Sequence, residues 1–111
     1  MMQDTFNALW KTLDDQHNAI KDFKRDDLAF DEAKRKYQIA VEQKTAEYRF
    51  DKSYPVTLIP DLVRGFEPVA NLRFERDRLH TLSETDRFLI RHFETRAWIL
   101  QRQLEMEMKG R

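Results

Sequence analysis

The stretch from Phe6 to Tyr48 constrains this chain most. In alternating steps of three and four it reads Phe6, Leu9, Leu13, Gln16, Ile20, Phe23, Asp27, Phe30, Lys34, Tyr37, Val41, Lys44, Tyr48, and nine of these thirteen are apolar. A 3.5-residue repeat lays one seam along a helix. No Gly or Pro stands between Met1 and Tyr54, so the backbone has no built-in break. One helix over this span is about 65 Å long at 1.5 Å per residue. Such a helix draws most of its stability from packing, so it needs a partner of similar length.

The second half of the chain supplies one. After Pro68, which suits a first helical turn, a second seam runs Leu72, Leu79, Leu82, Leu89, Phe93, Ala97, Leu100, Leu104 toward a basic end at Lys109, Gly110 and Arg111. Between the halves, Pro55 and Pro60 push the residues before them toward extended backbone. Val56, Thr57, Leu58 and Ile59 favour a strand but have none to pair with. Pro60 to Arg64 fits one helical turn ended by Gly65. This connector is too apolar for a solvated loop, and is expected to fold back over the helix ends or to meet a partner.

The expected fold is all-α, a single domain over residues 1–111. It is a long antiparallel helical hairpin with helices at 3–49 and 67–109 and an irregular connector at 51–66. The alternative breaks both helices, near residue 25 at Arg25-Asp26-Asp27 and near residue 83, where Ser83 and Asp86 resemble a capping box. It gives a compact four-helix bundle. The low Gly and Pro content and 36% charged residues fit a long-helix protein.

Composition excludes several classes. Twenty basic and twenty acidic residues cancel, so no general pull toward nucleic acid or anionic lipid exists. There is no Cys, so disulfide and thiolate chemistry are absent. No apolar run is long enough for a membrane span, and no basic-then-apolar leader opens the chain. A cytoplasmic protein is expected, with export lacking a cleaved signal the other option.

Few residues carry chemistry. Asp14-x-x-His17 and Asp77-x-x-His80 echo the carboxylate and His pairs of di-iron bundles, but the further inward carboxylates are missing. Solvated helix faces, no metal and no cofactor are expected. Ser53 and Ser83, the only serines, have no plausible base beside them. Catalysis and a small-molecule substrate are therefore not expected.

Large apolar residues exceed what a two-helix seam takes up. Trp10, Leu28, Ile39, Phe74, Phe88, Ile90, Trp98, Ile99, Met106 and Met108 fall off the seams, which points to a second contact surface. Trp10, Phe88 and Trp98, with Phe66 from the connector, are the candidate partner-binding residues, since large aromatics dominate interface energetics. The charges are also sorted. Arg73, Arg76, Arg87 and Arg91 share one helical face with His80, a candidate anion or nucleic-acid contact. Asp15, Asp22 and Asp26 line a face of the first helix, so these stripes can also set hairpin register or face water.

Two resemblances bear on function. Leu82-Ser83-Glu84-Thr85-Asp86-Arg87-Phe88-Leu89-Ile90 resembles the first helix of a sigma-type helix-turn-helix, which implies a nucleic-acid-associated regulator. The plan of two similar arms about a central turn resembles the small helical hairpins that accompany type VII secretion. Phe23-x-x-x-Asp27 matches an aromatic-x-x-x-Asp pattern seen among them, though the Trp-x-Gly turn of the best-known members is missing. Small phage-encoded proteins that divert a host factor share the plan. The sequence thus points to a non-enzymatic protein–protein interaction module, an adaptor, chaperone-like protein or inhibitor. It would act by helix–helix packing with itself or a larger protein. A regulator using the Arg face is the second reading.

Overall fold

The computed structural model describes residues 1–110; Arg111 of the expected basic end lies outside the described residues. The described chain is all-α, with no strand. Helix α1 spans Met2–Ala46, a single π-helical turn follows at Glu47–Asp51, and helices α2 (Ile59–Gly65) and α3 (Glu67–Lys109) complete it. Both long helices run uninterrupted past residues 25 and 83. The long arms of the hairpin therefore form, and the turns that a four-helix bundle requires do not.

Packing sorts the chain into two compact units, each made from one half of each long helix. In the first unit, Met1–Arg25 packs against the chain from Leu82 onward. The stretches run antiparallel there: Thr5 meets Gln103 and Glu107, and Thr12 meets Arg96. The second unit, Asp26–Thr81, holds the rest of α1, the connector and the start of α3. Its helices are antiparallel too, with Phe30 stacked on His80 and Tyr37 beneath Arg76.

The seam has the predicted period, with one of its two predicted rows in place and the other shifted by one residue. On α1 the buried residues are Thr5, Thr12, Ala19, Asp26 and Ala33, one every seven. Leu9, Gln16, Phe23, Phe30, Tyr37 and Lys44 flank them, half-buried. The expected Phe6, Leu13 and Ile20 are each one residue off and stay 50%, 42% and 49% exposed. On α3, Leu82 and Leu89 likewise yield to Ser83 and Ile90, while Ala97 is buried as expected.

Side-chain size explains the shift. Two helices approach most closely where small residues face each other, and a closer approach gains dispersion contacts along the whole line. Hydropathy selects Phe6, Leu13 and Ile20; close approach selects Thr5, Thr12 and Ala19. The buried threonines satisfy their hydroxyls locally. Thr12 donates to the Ala8 carbonyl at 2.8 Å, and Thr5 Oγ1 lies 3.2 Å from the Met1 carbonyl oxygen and 2.9 Å from Glu107 Oε1.

In the second unit the connector supplies a more ordinary core. Ile59, Val63 and Val69 are buried, with Tyr37, Ala40, Val41, Tyr48 and Phe66 packed around them. The π-helical turn closes when the Lys52 amide donates to the Glu47 carbonyl (3.2 Å) and the Tyr54 amide to the Tyr48 carbonyl (3.1 Å). Ser53 between them takes a left-handed φ of 55°, where glycine is the usual residue. Val56–Ile59 forms no strand, since no second strand is there to pair with it. The Leu58 amide instead donates to the Pro55 carbonyl (3.0 Å) and leads into α2.

α2 ends on Gly65, where the sequence placed its end, but Gly65 has no positive φ. The chain turns at Phe66, whose backbone is extended (ψ 120°) and whose amide caps the Leu62 and Val63 carbonyls. The Phe66 carbonyl then accepts from the Ala70 amide to begin α3.

A methyl group at Gly65 would meet no atom within 4 Å. Gly65→Ala is expected to stabilise the protein by about 0.5–1 kcal/mol in urea denaturation, by restricting the unfolded chain. The phase of the seam is tested by Ala19→Leu, expected to cost about 1–3 kcal/mol through overpacking. Leu13→Ala, one turn earlier and half-exposed, is expected to cost less than about 1 kcal/mol when measured on the monomer.

Candidate interaction surface

The candidate residues fall in different places. Trp10, Phe88 and Trp98 belong to the first unit and are 69%, 69% and 60% exposed. Phe66 belongs to the second unit and is half-buried against Ile59, Val63 and Val69. Its ring lies 3.8 Å beneath the Lys44 ammonium, which is also 4.9 Å from the Tyr48 ring and pairs with Glu47 at 2.9 Å. This contact accounts for a lysine at a seam position: the stem packs inward while the charge rests on two aromatic faces. Phe66 thus serves the hairpin's closed end from within.

The arginines divide in the same way. Arg76 lies over the Tyr37 ring at 4.4 Å and bonds Asp77 at 2.9 Å. Arg87 lies 5.2 Å from the Phe23 ring centre and 3.8 Å from Glu84. Both guanidiniums therefore tie α3 to α1 through aromatic faces within their own units. Arg73 is half-buried and Arg91 exposed.

Several charge pairs run along each helix. Asp15 holds Lys11 at 3.0 Å and Asp22 holds Arg25 at 3.5 Å, whereas Asp26 is buried in the seam. Two exposed pairs also run along their helices. The hydrogen bond from Arg35 lowers the Glu32 carboxyl pKa from its ordinary value, and Arg78 does the same for Glu75. Pairs of this kind hold each helix, and their net worth is small.

Polar contacts also join α1 and α3. In the first unit Gln103 donates to Thr5 Oγ1 (3.3 Å) and to Glu107 Oε1 (3.1 Å), and Arg96 Nε donates to Thr12 Oγ1 (3.3 Å). They fix the register of a seam that has little apolar bulk.

The residues weighed for metal chemistry are dispersed. His17 borders a shallow depression with Trp10, Leu13 and Asp14, and His80 stacks on Phe30 at 4.8 Å. Among the described residues no three His, Cys, Asp or Glu side chains come together as a metal would require. Ser83 is 1% exposed and sits in the seam, out of reach of a substrate. No turn follows the helix-turn-helix-like stretch at Leu82–Ile90, which continues as α3. No described helix is long and apolar enough to cross a membrane.

Two surface features were missed in the sequence. One is the row Phe6, Leu13, Ile20, assigned to the seam by hydropathy. The seven-residue repeat of Thr5, Thr12, Ala19, Asp26 and Ala33 beside it was the available signal. The other is at the connector, where Ile59 and Val63 fold inward as expected but Phe50, Val56 and Leu58 stay outside. In the same unit a cleft of about 310 Å³ opens between α1 and α2, lined by Tyr37, Val41, Thr45, Ile59, Pro60 and Val63.

Comparison with family models, curated proteins and solved structures gives no match to this chain.

Removing the Lys44 side chain is expected to loosen the closed end. Lys44→Ala should cost about 1–2 kcal/mol in urea denaturation through loss of the stacked cation and its packing. Lys44→Met, which keeps the stem, should cost about half as much. Equal costs would assign the effect to the cation alone, and no cost for Lys44→Met would assign it to packing of the stem alone.

Proposed function

We propose that this protein is a non-enzymatic interaction module that works by helix–helix packing, with its own kind or with a larger protein. One observation carries the reading. In the first unit the seam is lined by Thr5, Thr12, Ala19, Ser83 and Ala97, while Phe6, Trp10, Phe88, Trp98, Ile99 and Met106 stand at least half exposed. Folding by itself would favour the reverse, since each large side chain taken out of water contributes about 1.5–3 kcal/mol. Exposed apolar area on this scale marks a contact surface.

The mechanism would be apolar knobs from one helix face entering a partner's grooves, with the neighbouring charges choosing partner and register. Adaptor, chaperone-like and inhibitory roles all use this contact, as would the type VII secretion and phage settings that share the two-arm plan. The alternative reading, a nucleic-acid regulator using the Arg face, has weaker support. Arg76 and Arg87 are engaged by Tyr37 and Phe23, which suits a role in register better than phosphate binding.

Phe88→Ala and Trp98→Ala together test the reading. Helicity and melting temperature should stay close to the parent's, because both rings are exposed. Association, read by sedimentation velocity and by capture of a partner from the source cells, should weaken at least tenfold. Unchanged association, or collapse of the fold, would count against it. A salt-dependent shift with DNA or RNA, lost on substitution of Arg73 and Arg91, would favour the alternative.

A further inference from the structure

We infer that the cleft between α1 and α2 in the second unit binds a small carboxylate with an apolar body, its carboxylate held by Arg64. The site involves none of the exposed aromatics of the first unit, so the inference stands independently of the interaction-module reading.

The cleft follows from the way the connector folds back. Ile59 and Val63 carry α2 onto the apolar side of α1, and a gap of about 310 Å³ stays open beside them. Pockets that hold small ligands span roughly 300–1,000 Å³, so this one suits a ligand at the small end. At about 30 Å³ for each water-sized group, the gap takes about ten non-hydrogen atoms. Every residue that lines it belongs to the second unit.

Two observations select the ligand. The first is the floor. Val41, Ile59, Val63 and Val69 line the cleft, and the last three are buried. An apolar body leaves water there, whereas a compact inorganic anion would lose its hydration against carbon.

The second is the polar part of the lining. It consists of the Tyr37 and Thr45 hydroxyls and the Arg64 guanidinium, with no Asp or Glu. Arg64 can only donate, and each hydroxyl has a proton to give. Elsewhere such groups are engaged. Thr12 and Thr81 donate to the carbonyl four residues earlier in their own helices. Arg35, Arg76 and Arg78, in the same unit as Arg64, each hold a carboxylate. Among the described residues, Thr45 and Arg64 have no such partner. The cleft therefore presents donors, one formal positive charge and no negative charge. A guanidinium fork matches the two oxygens of a carboxylate, and the charge makes those hydrogen bonds stronger than neutral ones.

Titration of isotope-labelled protein with phenylpropionate and with octanoate, followed by backbone amide shifts, tests the assignment. Each acid should bind with a Kd of about 1 mM, as expected for ten or so non-hydrogen atoms. The shifts should fall on residues 37–45 and 59–69. Phenylpropionamide has the same body without the charge and should bind at least tenfold more weakly. Arg64→Gln should weaken both acids at least tenfold and leave the affinity for the amide unchanged. Its melting temperature should match the parent's, because Arg64 is exposed.

Absence of shifts at about 20 mM acid would overturn the inference. Equal affinity for acid and amide, or acids that bind Arg64→Gln as well as the parent, would do the same. So would shifts confined to the first unit. Each of these results leaves the interaction-module reading as it stands. A peptide ending in a free leucine carboxylate, bound in this cleft at least tenfold more tightly than either acid, would assign the site to a protein C-terminus and overturn the small-ligand assignment.

Discussion

Close packing of small side chains along α1 is the contact on which the rest of the structure depends. Thr5, Thr12, Ala19, Asp26 and Ala33 recur every seven residues and are buried, and Ser83, Asp86 and Ala97 are buried on α3. A seam of this kind gains from dispersion between closely approaching helices and from a few hydrogen bonds, not from burying large apolar groups. It also decides what remains outside. Once the small residues turn inward, the helical period carries Phe6, Leu13 and Ile20 to a flank, and the molecule acquires an apolar face.

The two units meet the problem of a thin helical pair differently. In the second unit the connector returns over the helices. Ile59 and Val63 from α2 and Val69 from α3 build a core with Tyr37, Val41 and Tyr48. Lys44 finishes it by placing its charge on the rings of Phe66 and Tyr48. The first unit has no third element. Its register is held by the Thr5–Gln103–Glu107 group and by Arg96 on Thr12, and large side chains such as Trp10, Phe88 and Trp98 stand exposed.

Much of the fold was legible in the sequence because its causes are local. The absence of Gly and Pro before Pro55, and the 3.5-residue repeat, are enough for two uninterrupted helices and a connector. Phase was not legible, because adjacent registers of one period differ only in which residue of each pair faces inward. Phe6 and Thr5 are equally compatible with the repeat, and the choice depends on how close a second helix comes. Gly65 ends α2 as the sequence indicated, but the reversal falls on Phe66, which stands between α2 and α3, so no glycine conformation is required. Among the candidate contacts, Trp10, Phe88 and Trp98 were visible as large side chains off the seams. Phe66 stood out by the same sign but is held by Lys44, an interaction across the fold that no local pattern encodes.

The most direct measurement is the pair of thiol-labelling rates at adjacent positions, Thr12→Cys and Leu13→Cys, each taken at a dilution where the chain is monomeric. The account predicts that the thiol at position 12 is strongly protected and reacts only on local opening, while that at position 13 reacts nearly as fast as in the unfolded chain. Equal rates, or protection at position 13 instead, would contradict it. The seam would then run through the large residues, and the exposed face would not exist.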